Sequence, residues 1–327
     1  MKSALPAALI AAAALAVAGC GGGGHPATTA TPPHARAATL VLDFTPNAVH
    51  SGIYLAHARG YDRRRGVDLH VQVPSSSTDS VKLLLSGRAQ FAVLDIHDLA
   101  IARERGRDIV GVYALVERPL AAVLAQPGIT RPRELEGRRA GVTGLPSDDA
   151  VLSSIVRGDG GDPAKVRRVT IGFDAVPALL TRRVDAVTAF WDVEGVALHA
   201  RRPGTQEFRV DRYGAPAYPE LVVCVARTTL DRDRGLVRGT VDALRRGYEA
   251  ALQDPRAAVA ALVGSGGGIS AKTAAAQFAA VKGAFRSGSL RPGALDPATL
   301  RRWAAWEARF GIVRRPPDVA RAFASGL

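Results

Sequence analysis

The chain has 327 residues, 47% hydrophobic and 22% charged, with a formal charge of +13 carried mainly by Arg. That length makes one large domain or two of ordinary size, and the apolar fraction is enough for a true core. Two cysteines, Cys20 and Cys224, are too few for a disulfide framework or a cysteine metal cluster. No RNP signature, zinc-finger spacing or block of five basic residues occurs, so the positive charge reads as a solvated face and not as a nucleic-acid surface.

The chain opens with "MKSALPAALIAAAALAVAGC", a lysine, an apolar run and then small residues, which is the layout of a signal peptide over residues 1–19. Val17-Ala18-Gly19-Cys20 resembles the bacterial lipobox. That resemblance implies cleavage after Gly19 and lipidation of Cys20. An ordinary signal peptide with an incidental cysteine is the alternative. "GGGGHPATTATPPHARAA" follows, too rich in Gly, Pro and Thr to pack, so residues 20–38 read as a lipidated cysteine and a flexible tether. His25 and His34 read as its polar spacers.

From Thr39 the pattern alternates. "ATLVLDF" is a buried strand, "HSGIYLAHARG" a helix stopped by Gly60, and "VDLHVQVP" an alternating strand. "STDSVKLLLSG" is a capped helix, "FAVLDIHD" a strand, "LAIARERGRD" a helix and "IVGVYALV" a strand. The series then restarts. "LAAVLAQ", "RAGVT", "VRRVTIG" and "DAVTAFW" are strands. "ITRPRELEG", "SDDAVLSSIVRGDG", "FDAVPALLTRRV" and "VEGVALHARRPG" are helical. "ELVVCVART" is a last strand, and residues 235–327 are largely helical, with "GLVRGTVDALRRGYEAALQDPRAAVAALV" read as one helical stretch. Two successive βα series predict two mainly parallel, doubly wound α/β units. Ligands in such sheets sit beyond the carboxyl ends of the strands, so two facing units make a cleft.

That rule selects candidate residues. In the first unit they are Asp43, Phe44, Asn47 and His50, then Asp95, Ile96 and His97; in the second, Gly144, Ser147 and Asp148, then Phe190, Trp191, Asp192 and Glu194. Tyr213 and Tyr218 precede the return strand. Asp43 accepts hydrogen bonds, Phe44 offers a flat apolar face and Asn47 donates and accepts. The same stretch also reads as a capping turn, with Asn47 or Ser51 as cap and Phe44 in the core. Trp191 also fits a core position, His97 and Asp98 a helix start, and His50 a polar helix-start residue. Trp303 and Trp306, three apart, read as core. These strand ends carry acids, amides and aromatics, whereas an oxyanion site wants Arg, Lys or clustered donors, so a neutral or cationic nitrogen-rich ring is favoured. The Ser147 turn, at a helix N-terminus, is the one place that suits an anion.

"LDFTPNAVHSGIYLAHARGYDRRRGVDLHV" resembles the opening of substrate-binding proteins of ABC importers for the thiamine pyrimidine moiety. Their broader kin are alkanesulfonate-, taurine- and nitrate-binding proteins and the eukaryotic thiamine-pyrimidine synthase. The resemblance continues through "VKLLLSGRAQFAVLD" and "VDAVTAFWDVEGVALHARRPG". It implies an α/β periplasmic-binding-protein type II fold, two doubly wound lobes joined by two crossover strands near Arg118–Ala122 and Pro219–Val223. Residues 39–118 plus 222–327 would form lobe 1, with the C-terminal helices packed on it, and residues 119–221 lobe 2. It places Asp43, Asn47, Trp191 and Glu194 on positions that hold the pyrimidine. It also implies a permease and its ATPase as partners, an extracytoplasmic monomer, and no cofactor or metal. The synthase relatives use a His, a pyridoxal-phosphate-linked Lys and a cysteine-rich element. Here only Cys224 remains beyond Cys20, and Lys82 is the one lysine of the first α/β set, so an enzyme is not expected.

Overall fold

Leu40, Val41 and Leu42 have no exposed surface, so the first apolar run is the middle of a sheet covered on both faces. The computed structural model describes residues 35–76, 78–288 and 290–327. The expected signal peptide, Cys20 and most of the tether lie outside the described residues. The first series comprises β1 (Arg36–Val41), α1 (Ser51–Ala58), β2 (Val67–Gln72), α2 (Asp79–Leu85), β3 (Phe91–Asp95), α3 (Ile96–Glu104) and β4 (Ile109–Ala114). The second comprises β5 (Ala121–Ala125), β6 (Arg139–Val142), α4 (Pro146–Gly158), β7 (Arg167–Thr170), α5 (Ala175–Leu180), β8 (Ala186–Phe190), α6 (Val196–Arg201) and β9 (Gln206–Arg209). The chain then returns through β10 (Leu221–Ala226) to α7 (Arg227–Arg232), α8 (Arg234–Gln253), α9 (Pro255–Val263), α10 (Ala271–Val281), α11 (Pro297–Arg309) and α12 (Val319–Ala322).

The strands form two five-stranded sheets, ordered β2-β1-β3-β10-β4 and β7-β6-β8-β5-β9. In the first, β1 pairs in parallel with β2 and β3, and β10 runs antiparallel to β3 and β4. In the second, β6 pairs in parallel with β7 and β8, and β5 runs antiparallel to β8 and β9. The sheets are mainly parallel, as expected, with four strands running one way in each and a single strand, β10 or β5, running against them. Each antiparallel strand is the one that arrives from the other sheet. The crossing runs past the carboxyl ends of the parallel strands, so the next strand must start there and run back against them.

Several boundaries differ from those read in the sequence. β1 begins at Arg36, inside the stretch expected as tether, because Arg36, Ala37 and Ala38 pair with Val67, Asp68 and Leu69 by backbone alone. β3 stops at Asp95, whose carboxylate accepts the His97 N–H at 2.8 Å and so starts α3 within the expected strand. The long C-terminal helical stretch breaks at Pro255, which has no N–H for the ladder, while Asp254 accepts the Ala257 N–H at 3.0 Å and caps α9. β9 was not read at all, because "QEFR" carries one apolar residue.

The C-terminal helices hold the first helix in place. α8 packs on α1, and α9 packs on α1 as well. The fit depends on two glycines. A Cβ on Gly52 would lie 2.5 Å from the Tyr248 ring, and one on Gly247 would lie 2.1 Å from the carbonyl oxygen of Gly52. The Tyr248 hydroxyl, carried on this packed face, donates to the Val49 carbonyl at 2.6 Å. So α8 fixes the chain immediately after the Asp43–Asn47 loop. Gly247→Ala should lower unfolding free energy by about 1–3 kcal/mol through overpacking. Gly283→Ala, where a Cβ meets nothing within 4 Å, should stay within about 0.5 kcal/mol in the same urea melts.

Candidate functional site

Asp43 and Phe44 follow β1, Asp95 ends β3, Thr143 follows β6, Phe173 follows β7 and Phe190 ends β8. Together they line one cavity of about 110 Å³ between the two sheets. A buried water needs roughly 10–15 Å³ by the same measure, so this is room for several waters or one small ring. Two contacts bridge the sheets around it. Phe44 meets Phe173 edge to face at 4.5 Å between ring centroids, and the Ser147 hydroxyl donates to Asp98 at 3.1 Å. These contacts join residues of the two series, so both sheets contribute to the cavity wall.

Five carboxylates line the cavity: Asp43, Asp95, Asp98, Asp148 and Glu194. Among the described residues no Lys, Arg or His lines it. One oxygen of each is held by the protein. Asp43 accepts from His50 Nε2 at 2.8 Å, Asp95 from the His97 N–H, Asp98 from Ser147, Asp148 from the Thr143 N–H at 2.6 Å, and Glu194 from the Phe190 N–H at 3.1 Å. His50 Nδ1 accepts the Asn47 N–H, so Nε2 carries the hydrogen that goes to Asp43. Burial raises Asp95, Asp98, Asp148 and Glu194. Asp98 and Glu194 are both pushed up to about 7, Asp98 also by the neighbouring Asp148, while Asp148 and Asp95 are raised too.

The hydroxyl donors, by contrast, are already spent. The hydroxyls of Ser80, Thr143 and Ser147 donate to the Leu42 carbonyl, Asp148 and Asp98, and that of Thr188 lies 3.4 Å from the Gly141 carbonyl. Asn47 lines the cavity yet caps the following turn, accepting from the Val49 N–H and donating to the Thr45 carbonyl. The Ser147 turn at the start of α4, the one place suited to an anion, has Asp148 in its first turn and Asp98 against it.

Beside this wall lies a buried ionic cluster. His97 meets Glu307 through Nδ1, the Tyr218 hydroxyl at 3.1 Å and Glu220 at 3.8 Å through Nε2. Burial opposes its charge, but Glu307, Asp95 and Glu220 overcome that and hold its pKa at about 10. Glu220 Oε2 accepts the N–H groups of Leu120 and Ala121 at 2.6 and 2.8 Å, which ties the two crossing segments together. Asp95, His97 and Glu220 each offer a ligating atom within 4.8 Å of the others, the arrangement among the described residues with metal-ligand spacing. His97 as a cation already balances these carboxylates, so the cluster is an ion network at the crossing.

Of the residues chosen from sequence, Asp43, Phe44, Asn47, Asp95, Ser147, Phe190 and Glu194 line the cavity, and so does Asp148. His50 stands behind Asp43. Ile96 is fully buried core, and Tyr218 belongs to the His97 cluster. Gly144 takes φ +99° between Thr143 and Leu145, where it shapes the turn without lining the cavity. Trp191 is turned away. Its indole N–H donates to the Pro119 carbonyl at 3.1 Å and Arg209 stacks on its ring at 4.1 Å. Asp192 is buried with neither oxygen partnered among the described residues, and Tyr213 packs on Phe208. Ser80, Thr143, Phe173 and Thr188 were missed. Phe173 carried the same signal as Phe44, an aromatic just past an apolar strand.

The NMT1/THI5-like family model matches residues 47–258. The chain belongs to that family. A formylaminopyrimidine-binding protein of Halalkalibacterium halodurans is 29% identical over 227 residues, 68% of this chain and 69% of that one. A 4-amino-5-hydroxymethyl-2-methylpyrimidine phosphate synthase of Legionella pneumophila is 23% identical over 225 residues, 67% of this chain and 71% of that one. The alkanesulfonate-binding protein SsuA from Xanthomonas axonopodis pv. citri bound to MOPS superposes with a TM-score of 0.70 at 15% identity, over 90% of this chain and 99% of that one. The fold is therefore the two-lobed periplasmic-binding-protein fold, and the chain is similar both to a protein named for binding and to one named as a synthase.

The charge pattern fixes the sign of the pH dependence. A carboxyl whose pKa rises on folding contributes stability that is complete below its unfolded value, near ~4, and lost as pH rises through the folded value. For Asp98 and Glu194 that loss ends at about pH 7. His97 acts in the same direction, with its contribution lost as pH climbs from about 6.5 through its folded value of about 10. Urea-melt stability of the unliganded protein should fall steadily from mildly acidic to alkaline pH, and Asp98→Asn should flatten the acidic half of that fall. His97→Gln, which strips the cation from Glu220 and Glu307, should cost about 3–5 kcal/mol at neutral pH.

Proposed function

We propose that this chain is the extracytoplasmic solute-binding component of an ABC importer, and that it takes a small nitrogen heterocycle, an aminopyrimidine thiamine precursor, between its lobes by hinge closure. The observation that carries this reading is the cavity itself, which is rich in acceptors, poor in donors and walled by Phe44, Phe173 and Phe190. An aminopyrimidine supplies the N–H groups and the flat face that such a wall accepts. A sulfonate or nitrate would meet carboxylates and no free cation. The relative from Halalkalibacterium halodurans, named for binding formylaminopyrimidine, supports the same ring. Ligand acts here by favouring the closed form, so it must bind that form more tightly than the open one.

The rest of the reading follows from this role. Residues 39–118 with 222–327, and residues 119–221, are the two lobes. Asp43 and Glu194 take the ring's amino group from opposite sides, and Phe44 and Phe190 flank it. Lipidation at Cys20 holds a monomer at the membrane, where a permease and its ATPase receive the solute. The chain acts without catalysis. Lys82, the lysine a synthase-like pyridoxal-phosphate chemistry would require in the first series, is not among the cavity-lining residues.

The test is thermal unfolding of the full chain, freed of co-purified ligand, with formylaminopyrimidine, an alkanesulfonate, taurine and nitrate. A ligand at 100 times its Kd adds about 2.7 kcal/mol, a rise of several degrees. The expected result is a rise with the pyrimidine alone, reduced at least about tenfold in affinity by Asp43→Asn and by Glu194→Gln. A rise with the sulfonate or nitrate alone would overturn the reading.

A further inference from the structure

The cavity holds more carboxyl groups than a neutral ring needs. Five acids surround about 110 Å³. A second observation lies just behind them. Asp192 is fully buried, neither of its oxygens has a hydrogen-bond partner among the described residues, and its charged neighbours are Glu194, Asp43 and Glu220. This concentration of acid sits in a chain with 43 Lys and Arg against 30 Asp and Glu, and among the described residues no base lines the cavity.

We infer that the solute is an organic cation: a small ring bearing a protonated amine, held with its ammonium among Asp43, Asp98, Asp148 and Glu194 and its ring against Phe44, Phe173 and Phe190. The inference rests on the reading of this cavity as the ligand site and deepens it. Among aminopyrimidines it selects the form with a free aminomethyl group over its N-formyl amide, which carries no charge there.

Three features of the site support a cation. Each carboxylate is tethered to the protein through one oxygen, so the acids are held in place to receive a donor. An ammonium group supplies three donors and a full charge, and charge-assisted hydrogen bonds are about twice as strong as neutral ones. Aromatic faces beside carboxylates suit an organic cation through the ring quadrupole, whereas a bare metal ion would gain nothing from Phe44, Phe173, Phe190, Leu145 or Val193. Burial also leaves Asp98 and Glu194 part-protonated at neutral pH in the empty site, and a bound cation draws them back to the ionised form.

Isothermal titration of the full chain tests this with matched pairs. The first pair is 4-amino-5-aminomethyl-2-methylpyrimidine and its N-formyl amide, the same ring with and without the charge. The second pair, free of any pyrimidine, is benzylammonium and benzyl alcohol. The expected result is that the amine binds at least about tenfold more tightly than the amide, and that the ratio collapses in the Asp98→Asn/Glu194→Gln double variant. The double variant removes buried charge, so it should fold. Equal or tighter binding of the amide overturns the inference while leaving the pyrimidine reading intact. Binding of benzylammonium but of neither pyrimidine supports the cation and overturns the pyrimidine. A response to Ca²⁺, Mg²⁺ or Zn²⁺ alone, or to no ammonium compound in the set, overturns the inference.

Discussion

One carboxylate holds the two halves of this molecule in register. Glu220 lies in the returning segment, has no exposed surface, and accepts the backbone N–H groups of Leu120 and Ala121 from the outgoing one. Its own carbonyl accepts the Ile96 N–H at the end of β3. A charge at such depth persists only if it is balanced, and His97 supplies the balance, braced in turn by Glu307 on α11. The C-terminal helices are therefore part of the crossing as well as packing for the first lobe. Asp95 belongs both to this cluster and to the cavity wall, so the acids that line the cavity and the groups that hold the crossing share one electrostatic balance.

The cavity follows from the sheet topology. In each sheet the parallel strands end towards the crossing, and their carboxyl ends leave unpaired turns there. Backbone N–H groups at those turns need acceptors, and Asp95, Asp148 and Glu194 provide them. The same acids that cap the turns then line the space between the sheets. Capping explains one oxygen of each carboxylate. The accumulation of five such groups around one small volume goes beyond what capping requires, and it sets the electrostatic character of the site.

Strand ends were legible because apolar runs stop sharply at polar residues, and Asp43, Phe44, Asp95, Phe190 and Glu194 all sit at such stops. Trp191 sits at the same kind of stop and yet faces away. The chain enters a π-helical turn at Trp191–Gly195, which rotates consecutive side chains to different sides: Phe190 and Glu194 into the cavity, Trp191 onto Arg209. Periodicity has no term for such a turn. His97 and Tyr218 were placed near a ligand because they flank strand ends, but burial beside Glu307 assigns them to the crossing.

The sequence by itself determined the alternation of strand and helix, the restart that makes two sheets, and the absence of basic residues at the strand ends that become the site. These are local properties, carried by apolar period and residue type. Tertiary structure decided which of those ends converge. It reversed β5 and β10, brought Phe173 to Phe44 and Ser147 to Asp98, and set Glu307 against His97 across 210 residues. Those pairings depend on the path of the chain between sheets, and no local pattern encodes the distance between residues that far apart.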